Sequence, residues 1–166
     1  MKNLNISAKI SVCIYEELNQ SEKKLIDAAK EATQHAYAPY SHFQVGAAVL
    51  LSNNEIITGN NQENVAYPSG LCAERTALFY ANSRFPDEIV NAVAIAAYTN
   101  NDFTDEPITP CGACRQVILE TQNRYKHPVR ILLYGKKTIY LIEKITDLLP
   151  LSFNADYMTA DLKIKD

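Results

Sequence analysis

The 166-residue sequence has no apolar run long enough to cross a membrane and no excess of positive charge. No segment approaches the roughly 18 uninterrupted apolar residues that indicate a transmembrane helix. The N-terminus lacks the apolar core of a signal peptide. The net charge is −3, and the longest basic runs are the pairs Lys23–Lys24 and Lys136–Lys137. We therefore expect a cytoplasmic protein that binds neither membranes nor nucleic acid, and a small-molecule substrate is favoured.

The chain also lacks internal repeats, low-complexity tracts and any linker long enough to divide it. Its length suits one domain, because a chain of this size buries roughly 70% of its unfolded surface. We expect a single domain over residues 1–166. Alternating apolar residues within the first 20 residues predict an N-terminal strand that extends this domain.

Helical and strand patterns alternate along the rest of the chain. Ser21 is a candidate cap for a helix of about four turns that ends before Pro39. Two strands then form a hairpin that turns at Asn53–Asn54, where positive φ is tolerated. Further helices begin at Cys72 and Cys111, and the apolar run IVNAVAIAAYT between them indicates a strand buried on both faces. With two final strands, VRILLYG and TIYLIEKI, this pattern predicts an α/β layered fold whose sheet is at least partly parallel.

The chain has four cysteines, which are Cys13, Cys72, Cys111 and Cys114. Cytosolic cysteines are usually reduced, which favours metal binding or catalysis over disulfides. The C-x-x-C spacing in TPCGACRQ is weak evidence alone, because redox pairs and structural zinc sites use it too. Both Cys72 and the C-x-x-C pair follow predicted strands at helix starts, where α/β proteins bind ligands. Three thiolates around one Zn²⁺ would leave an open tetrahedral position, as in catalytic zinc sites.

Two charged residues follow Cys72 in the stretch CAER. Glu74 is too close to Cys72 in sequence to be a comfortable fourth ligand, so we expect it to transfer protons beside the open position. Three thiolates and one Zn²⁺ carry an excess negative charge. Arg75 is well placed to offset part of that charge by donating hydrogen bonds to thiolate sulfur. This combination predicts hydrolysis at an electrophilic carbon that bears an amino leaving group.

Two other interpretations of the cysteines compete with a catalytic zinc site. A thioredoxin-like redox pair would need neither a third cysteine nor Glu74. A structural site with four cysteines would use Cys13, which lies out of phase with the apolar face of its strand and has no partner motif. A surface or outer position is expected for the three histidines, His35, His42 and His127.

The stretches CAER and PCGACRQ together resemble the zinc signature of the cytidine deaminases, in particular the small homotetrameric class. In the wider pattern H-x-E…P-C-x-x-C, Cys72 takes the position of the histidine. The similarity covers most of the chain from about residue 22, through YAPYSHFQVGAAV, GNNQENVAYPSGLCAERTALF and LLPLSF. The resemblance implies an α/β fold, specifically a three-layer α/β/α sandwich with a mixed central sheet, and a homotetramer.

The resemblance assigns a role to each residue of the zinc signature. Cys72, Cys111 and Cys114 match the ligands of one Zn²⁺ per subunit, and Glu74 matches the proton shuttle. The implied reaction is hydrolytic deamination of cytidine and deoxycytidine to uridine and deoxyuridine with release of ammonia, in pyrimidine salvage. Alternatives are a deaminase of a related aminopyrimidine nucleoside such as blasticidin S, and a structural zinc module without catalysis.

Four residues outside the zinc signature match substrate contacts of the family. Phe43 would pack beside the pyrimidine and the sugar, and Asn61 and Glu63 would bind ribose hydroxyls. Phe153 would reach the site of a neighbouring subunit. These matches leave the choice between ribose and deoxyribose open.

Two features depart from the family pattern. The first 20 residues exceed the compact pattern, and we expect them to cover a sheet edge. Pro68, in YPSGLCAE, should stiffen the loop before the first zinc cysteine. Neither feature touches a proposed catalytic residue, and both leave the substrate range open.

Overall fold

A computed structural model describes residues 1–155 of the chain, and its main elements are seven strands and three α-helices. The last eleven residues of the predicted domain, 156–166, lie outside the described residues. The strands are β1 (Ser11–Cys13), β2 (Gln44–Leu51), β3 (Ile56–Asn60), β4 (Val90–Thr99), β5 (Asp102–Phe103), β6 (Arg130–Tyr134) and β7 (Ile139–Ile142). The helices are α1 (Gln20–Ala32), α2 (Ala73–Arg84) and α3 (Gly112–Tyr125). Within residues 1–155, no helix has the length and apolar character needed to cross a bilayer.

The strands form one mixed sheet in the order β1-β7-β6-β4-β2-β3, and β5 pairs with the end of β4. Strands β4 and β6 run parallel, whereas every other pair of these strands is antiparallel. Parallel strands need a long crossover, and α3 lies in the connection between β4 and β6. The prediction of a mixed sheet is therefore confirmed. The two-residue strand β5 was not predicted.

Strand β4 carries a hydrophobic core on each of its faces. Val93 and Ile95 belong to the core that includes α2 and α3, whereas Ala92, Ala94 and Ala96 belong to the core that includes α1. Successive side chains of a strand point to opposite faces, so the three helices are divided between the two faces of the sheet. This arrangement confirms the three-layer α/β/α sandwich and the prediction that β4 is buried on both faces.

Helix α1 lies so close to β2 that the crossing point has no room for a side chain. A Cβ atom on Gly46 would lie 2.0 Å from the carbonyl oxygen of Ala29 and 2.7 Å from the amide nitrogen of Thr33. Both of these are backbone atoms, which cannot move away as a flexible side chain could. The glycine thus sets the distance between α1 and the sheet.

The N-terminal strand is shorter than the alternating pattern predicts. Only Ser11–Cys13 pairs with β7, and residues 1–10 form no regular element. Leu4 and Ile6 are exposed. The N-terminal strand is short because its pairing partner β7 spans only Ile139–Ile142 and offers few backbone groups for pairing. The prediction of a strand over the first residues is therefore wrong up to residue 10, while Ser11–Cys13 do cover the sheet edge.

Local hydrogen bonds correct one helix start and confirm one turn. Asn19, and not Ser21, caps α1, because its side chain accepts the amide of Glu22 at 3.0 Å. The Glu22 carboxylate accepts the amide of Asn19 at 2.8 Å in return, which makes a reciprocal capping box. The hairpin between β2 and β3 turns where predicted, and Asn54 has a φ of 68°.

We predict that Gly46→Ala destabilises the fold by about 3 kcal/mol or prevents folding, since the new methyl group would overlap backbone atoms of α1. Urea denaturation followed by circular dichroism measures the effect. Gly112→Ala is the control, because a Cβ atom there meets no atom within 4 Å. A Gly46→Ala protein as stable as the Gly112→Ala protein would contradict the close approach of α1 and β2.

Candidate active site

The starts of α2 and α3 lie at one edge of the sheet. Strands β3 and β4 both run antiparallel to β2, which lies between them, so their carboxyl ends point to the same edge. Helix α2 follows β3 along the chain, and α3 follows β4 and its short partner β5. Both helices contribute to the same core on one face of the sheet. The first turns of α2 and α3 therefore meet near the beginning of β2.

This meeting point brings three cysteines together. Cys72 immediately precedes α2, Cys111 immediately precedes α3, and Cys114 lies in the first turn of α3. The three sulfur atoms lie within 4.8 Å of one another, with 3.9 Å between Cys72 and Cys111 and 3.5 Å between Cys111 and Cys114. Cys13 lies in β1 and does not belong to this group. The interpretation as a site with four cysteine ligands therefore lacks its fourth ligand in the described chain.

The spacing of the sulfur atoms fits a tetrahedral zinc ion. Zinc–sulfur bonds of about 2.3 Å separate two sulfur ligands by about 3.8 Å. The distances of 3.9 and 3.5 Å lie on either side of that value. The partial positive charge of both helix N-termini also favours thiolates at these positions. Three cysteines can thus hold one zinc ion and leave a fourth position open.

Hydrogen bonds already favour a thiolate at Cys72. The hydrogen bond that Cys114 donates lowers the pKa of Cys72 to about 5, and a further hydrogen bond from Arg75 acts in the same direction. The pKa of Cys114 is raised, because it donates that hydrogen bond and because it is buried. A thiolate at neutral pH is the form of cysteine that binds metals.

Arg75 lies beside the sulfur atoms, where its positive charge can offset the excess negative charge of three thiolates and one Zn²⁺. Its Nη2 lies 3.7 Å from the sulfur of Cys72, and this hydrogen bond raises the pKa of the guanidinium. Its Nε is buried and has no hydrogen-bond partner within the described residues. A buried N–H without a partner is costly, so Arg75 retains a donor suited to additional negative charge at this site.

Glu74 is buried in the first turn of α2, with 4% of its surface exposed. Its side chain lines the same cavity as Cys72 and Cys111. Burial raises the pKa of Glu74, and the negative charge of Cys72 raises it further. A carboxyl group whose pKa lies closer to neutrality is suited to accepting and donating protons.

A cavity of about 490 Å³ opens beside the cysteines. This volume lies within the range of small-molecule sites. Three of the residues predicted to contact the substrate, Phe43, Asn61 and Glu63, line its wall together with Glu74. Phe153 does not line this cavity. The residue is 62% exposed, and its carbonyl oxygen accepts a hydrogen bond of 2.8 Å from the side chain of Gln116.

Backbone hydrogen bonds hold Asn61 and Glu63, two of the polar residues of the cavity wall. Asn61 accepts the amide of Val45 at 2.8 Å and donates to the carbonyl of Phe43 at 2.9 Å. The Glu63 carboxylate accepts the amide of Tyr40 at 2.9 Å. The loop after β3 is thus fastened to the segment that leads into β2. Each of the two side chains therefore has a fixed position at the cavity.

The sequence did not indicate several residues that complete the site. Val45, Leu71 and Ile108 line the cavity, although their apolar side chains look like ordinary core residues in the sequence. Arg115 donates to the carbonyls of Pro110 and Leu148, both at 2.8 Å, and to the hydroxyl of Thr109 at 3.2 Å. Arg115 thereby fixes the loop before Cys111. The one feature of the sequence that could have indicated Arg115 is its position directly after Cys114.

Comparison with known proteins gives a consistent set of relatives. The family model for the cytidine and deoxycytidylate deaminase zinc-binding region matches residues 19–127. The chain is 43% identical over 136 residues to a cytidine deaminase of Halalkalibacterium halodurans, which covers 81% of this chain and 95% of that protein. It is 46% identical over 104 residues to a probable cytidine deaminase of Dictyostelium discoideum, which covers 62% of this chain and 67% of that protein.

Solved structures give the same result. The fold is similar to the crystal structure of a cytidine deaminase from Burkholderia pseudomallei, with a TM-score of 0.67 and 41% identity over 78% of this chain and 97% of that one. A cytidine deaminase from Mycobacterium tuberculosis gives a TM-score of 0.64 and 31% identity over 82% of this chain and 99% of that one.

The matched region of residues 19–127 contains all three clustered cysteines, together with Glu74 and most of the cavity wall. The third cysteine beside Cys111 and Cys114, and the fold similarity to cytidine deaminases, argue against the interpretation of these two residues as a thioredoxin-like redox pair. From its sequence relatives, its fold and its cluster of three cysteines, the chain belongs to the cytidine and deoxycytidylate deaminase family.

Proposed function

We propose that this protein hydrolyses cytidine and deoxycytidine to uridine and deoxyuridine, with release of ammonia, in pyrimidine salvage. The observation that carries the proposal is the buried Glu74 beside three convergent cysteine sulfurs on the wall of an open cavity. The names of the relatives support cytidine over blasticidin S as the substrate. A structural zinc module would not require a buried carboxylate that lines a cavity. The free cysteines suit a cytoplasmic location.

Cys72, Cys111 and Cys114 would hold one Zn²⁺ per subunit. When bound, the ion acts as a Lewis acid and generates a nucleophile from water near neutral pH. Arg75 offsets part of the negative charge of the thiolates through its hydrogen bond to Cys72, and its Nε, which has no partner among residues 1–155, offers a second donor. The guanidinium remains charged at every physiological pH, so this compensation is permanent.

Glu74 carries out the proton transfers of the proposed reaction. It accepts a proton as water adds to C4 of the pyrimidine, and it places a proton on N3, which makes C4 more electrophilic. It then takes the remaining proton from the added hydroxyl group and delivers it to the amino group as the C4–N bond breaks, so that C4 keeps the oxygen as a carbonyl, one water molecule is consumed and one ammonia molecule leaves. The burial of Glu74 keeps this proton exchange away from bulk solvent.

Phe43, Asn61 and Glu63 would bind the nucleoside. Phe43 packs beside the pyrimidine and the sugar, while Asn61 and Glu63 face the sugar hydroxyls. Their positions along one cavity wall with Glu74 support this orientation, because the base then lies towards the cysteines and the sugar towards the loop after β3. The binding contacts thus orient C4 towards the reacting groups.

We further propose that the chain forms a homotetramer in which Phe153 reaches the site of a neighbouring subunit. Several large apolar side chains are exposed in the described chain, and such surfaces often mark protein interfaces. They include Val65, Tyr67, Phe79, Tyr80 and Phe153. Tyr67 lies on the rim of the cavity itself, which supports an interface next to the site.

Residues 1–166 are proposed to form a single domain, which residues 1–20 extend at the N-terminus. One sheet contains every strand of the described residues, from β1 to β7, which supports this division. The family match begins at residue 19, which agrees with an extension outside the compact domain.

Glu74→Gln should retain the fold and zinc but lower kcat by about 10²- to 10⁴-fold, because the amide cannot accept and return a proton. The loss of ultraviolet absorbance and the release of ammonia measure turnover of cytidine and deoxycytidine, and elemental analysis measures zinc. Glu55→Gln, a matched change at an exposed residue next to the β2–β3 turn, should leave turnover unchanged. A Glu74→Gln protein that turns over at a near-normal rate would rule out the proposed mechanism.

Phe153→Ala should lower activity without loss of zinc, if Phe153 completes a neighbouring subunit's site. Mixing this variant with Glu74→Gln tests the arrangement. In a mixed tetramer, a Phe153→Ala subunit keeps Glu74 in its own site, and a neighbouring Glu74→Gln subunit can supply Phe153 to that site. We expect activity to rise above that of either variant alone. Leu151→Ala, at another exposed apolar residue of the same segment, is the control and should be fully active.

Native mass spectrometry establishes that the two variants have exchanged subunits and that the assembly contains four chains. Mixed tetramers without any gain in activity would show that Phe153 does not act across an interface.

A further inference from the structure

One serine hydroxyl connects two residues of the cavity wall. The Oγ of Ser41 donates a hydrogen bond to Oε1 of Glu63 and accepts the backbone amide of Phe43 at 3.1 Å. Ser41 itself lines the cavity. A hydroxyl can donate only one hydrogen bond. Here that hydrogen bond goes to the Glu63 carboxylate, which can only accept, and the Phe43 amide donates to a lone pair of the Ser41 oxygen. The direction of both hydrogen bonds is therefore fixed.

The Glu63 carboxylate is almost completely occupied by its protein partners. Its Oε2 accepts two backbone amides, from Tyr40 at 2.9 Å and from Ser41 at 3.2 Å. Its Oε1 accepts the hydroxyl of Ser41. A carboxylate has about four lone-pair positions, so among residues 1–155 these three hydrogen bonds leave one position, on Oε1. Glu63 can accept one further hydrogen bond, in one direction.

The same hydrogen bonds keep Glu63 ionised. The hydroxyl of Ser41 and the amide of Tyr40 lower the pKa of the Glu63 carboxyl group below its usual value. An ionised carboxylate has no proton to donate. Its remaining position therefore recognises a donor, such as a sugar hydroxyl, and cannot pair with an acceptor.

We propose that Ser41 is a positioning residue that makes Glu63 a directed acceptor for one sugar hydroxyl, and that it thereby sets the selectivity of the enzyme for the sugar. The inference rests on the proposed function, since Glu63 must face the sugar of the nucleoside. A carboxylate with all its positions free could accept both hydroxyls of a ribose diol. With one acceptor position left on Oε1, Glu63 binds one hydroxyl of the sugar, and the second hydroxyl must bind elsewhere.

The two deoxy analogues of cytidine separate this role from a merely structural one. Only one of 2′-deoxycytidine and 3′-deoxycytidine lacks the hydroxyl that Glu63 accepts, and the unaltered protein should convert that analogue less efficiently. In Ser41→Ala the carboxylate loses the partner that directs Oε1. In the unaltered protein, kcat/KM is higher for the analogue that keeps the hydroxyl than for the analogue that lacks it. The ratio of these two kcat/KM values should fall by about tenfold in Ser41→Ala, mainly through a change in KM.

Two further variants serve as controls. Ser41→Thr keeps a hydroxyl and should restore most of the lost selectivity. Ser52 has the same arrangement far from the cavity, since its hydroxyl donates to Glu88 at 2.6 Å and accepts the amide of Ile89 at 2.9 Å. Ser52→Ala should therefore cost as much stability as Ser41→Ala while the kcat/KM ratio of the analogues stays unchanged.

A Ser41→Ala protein with the original ratio between the two analogues would overturn the proposal, even if both values of kcat/KM fell together, because an equal loss indicates a structural role only. Failure of the unaltered protein to convert cytidine would contradict the proposed function separately. In that event, the affinities of the two analogues for the unaltered and Ser41→Ala proteins, measured by calorimetry, decide the role of Ser41.

Discussion

The convergence of two helix starts on one sheet edge is the constraint on which the rest of the site depends. Antiparallel pairing on both sides of β2 makes β3 and β4 end at the same edge, and α2 and α3 begin there. This topology brings the sulfur of Cys72 within 3.9 Å of the sulfur of Cys111, which is 39 residues away. Glu74, Arg75 and Cys114 then follow automatically, because each lies within the first turn of a helix already fixed by its cysteine.

Close packing of the helices on the sheet gives the site its precision. On the face of the cysteines, a Cβ atom on Gly59 would lie 2.5 Å from the amide nitrogen of Ala77, so α2 lies directly on β3. Asn61 follows two residues after this contact and is fastened to the backbone of Phe43 and Val45. The distance between the sulfur atoms and the side chain of Asn61 is therefore determined by backbone contacts that cannot adjust.

The sequence predicted those features that depend on residues close to one another in the chain. The pairs Cys111–Cys114 and Cys72–Glu74 each lie within one helical turn, and β4 is recognisable by its own apolar run. The N-terminal strand was overpredicted, because its length depends on the partner edge of β7. Ser41 was missed for a similar reason, since its partner Glu63 is 22 residues away and meets it only after folding.

X-ray absorption spectroscopy of the zinc-loaded protein tests the central claim most directly, namely that three cysteine sulfurs hold zinc and leave one position open beside Glu74. We expect three sulfur atoms at about 2.3 Å and one oxygen atom at about 2.0 Å. A shell of four sulfur atoms would mean that a fourth cysteine closes the site, and fewer than three would mean that the three cysteines do not all bind the ion. Either result would contradict a catalytic zinc site at the helix starts.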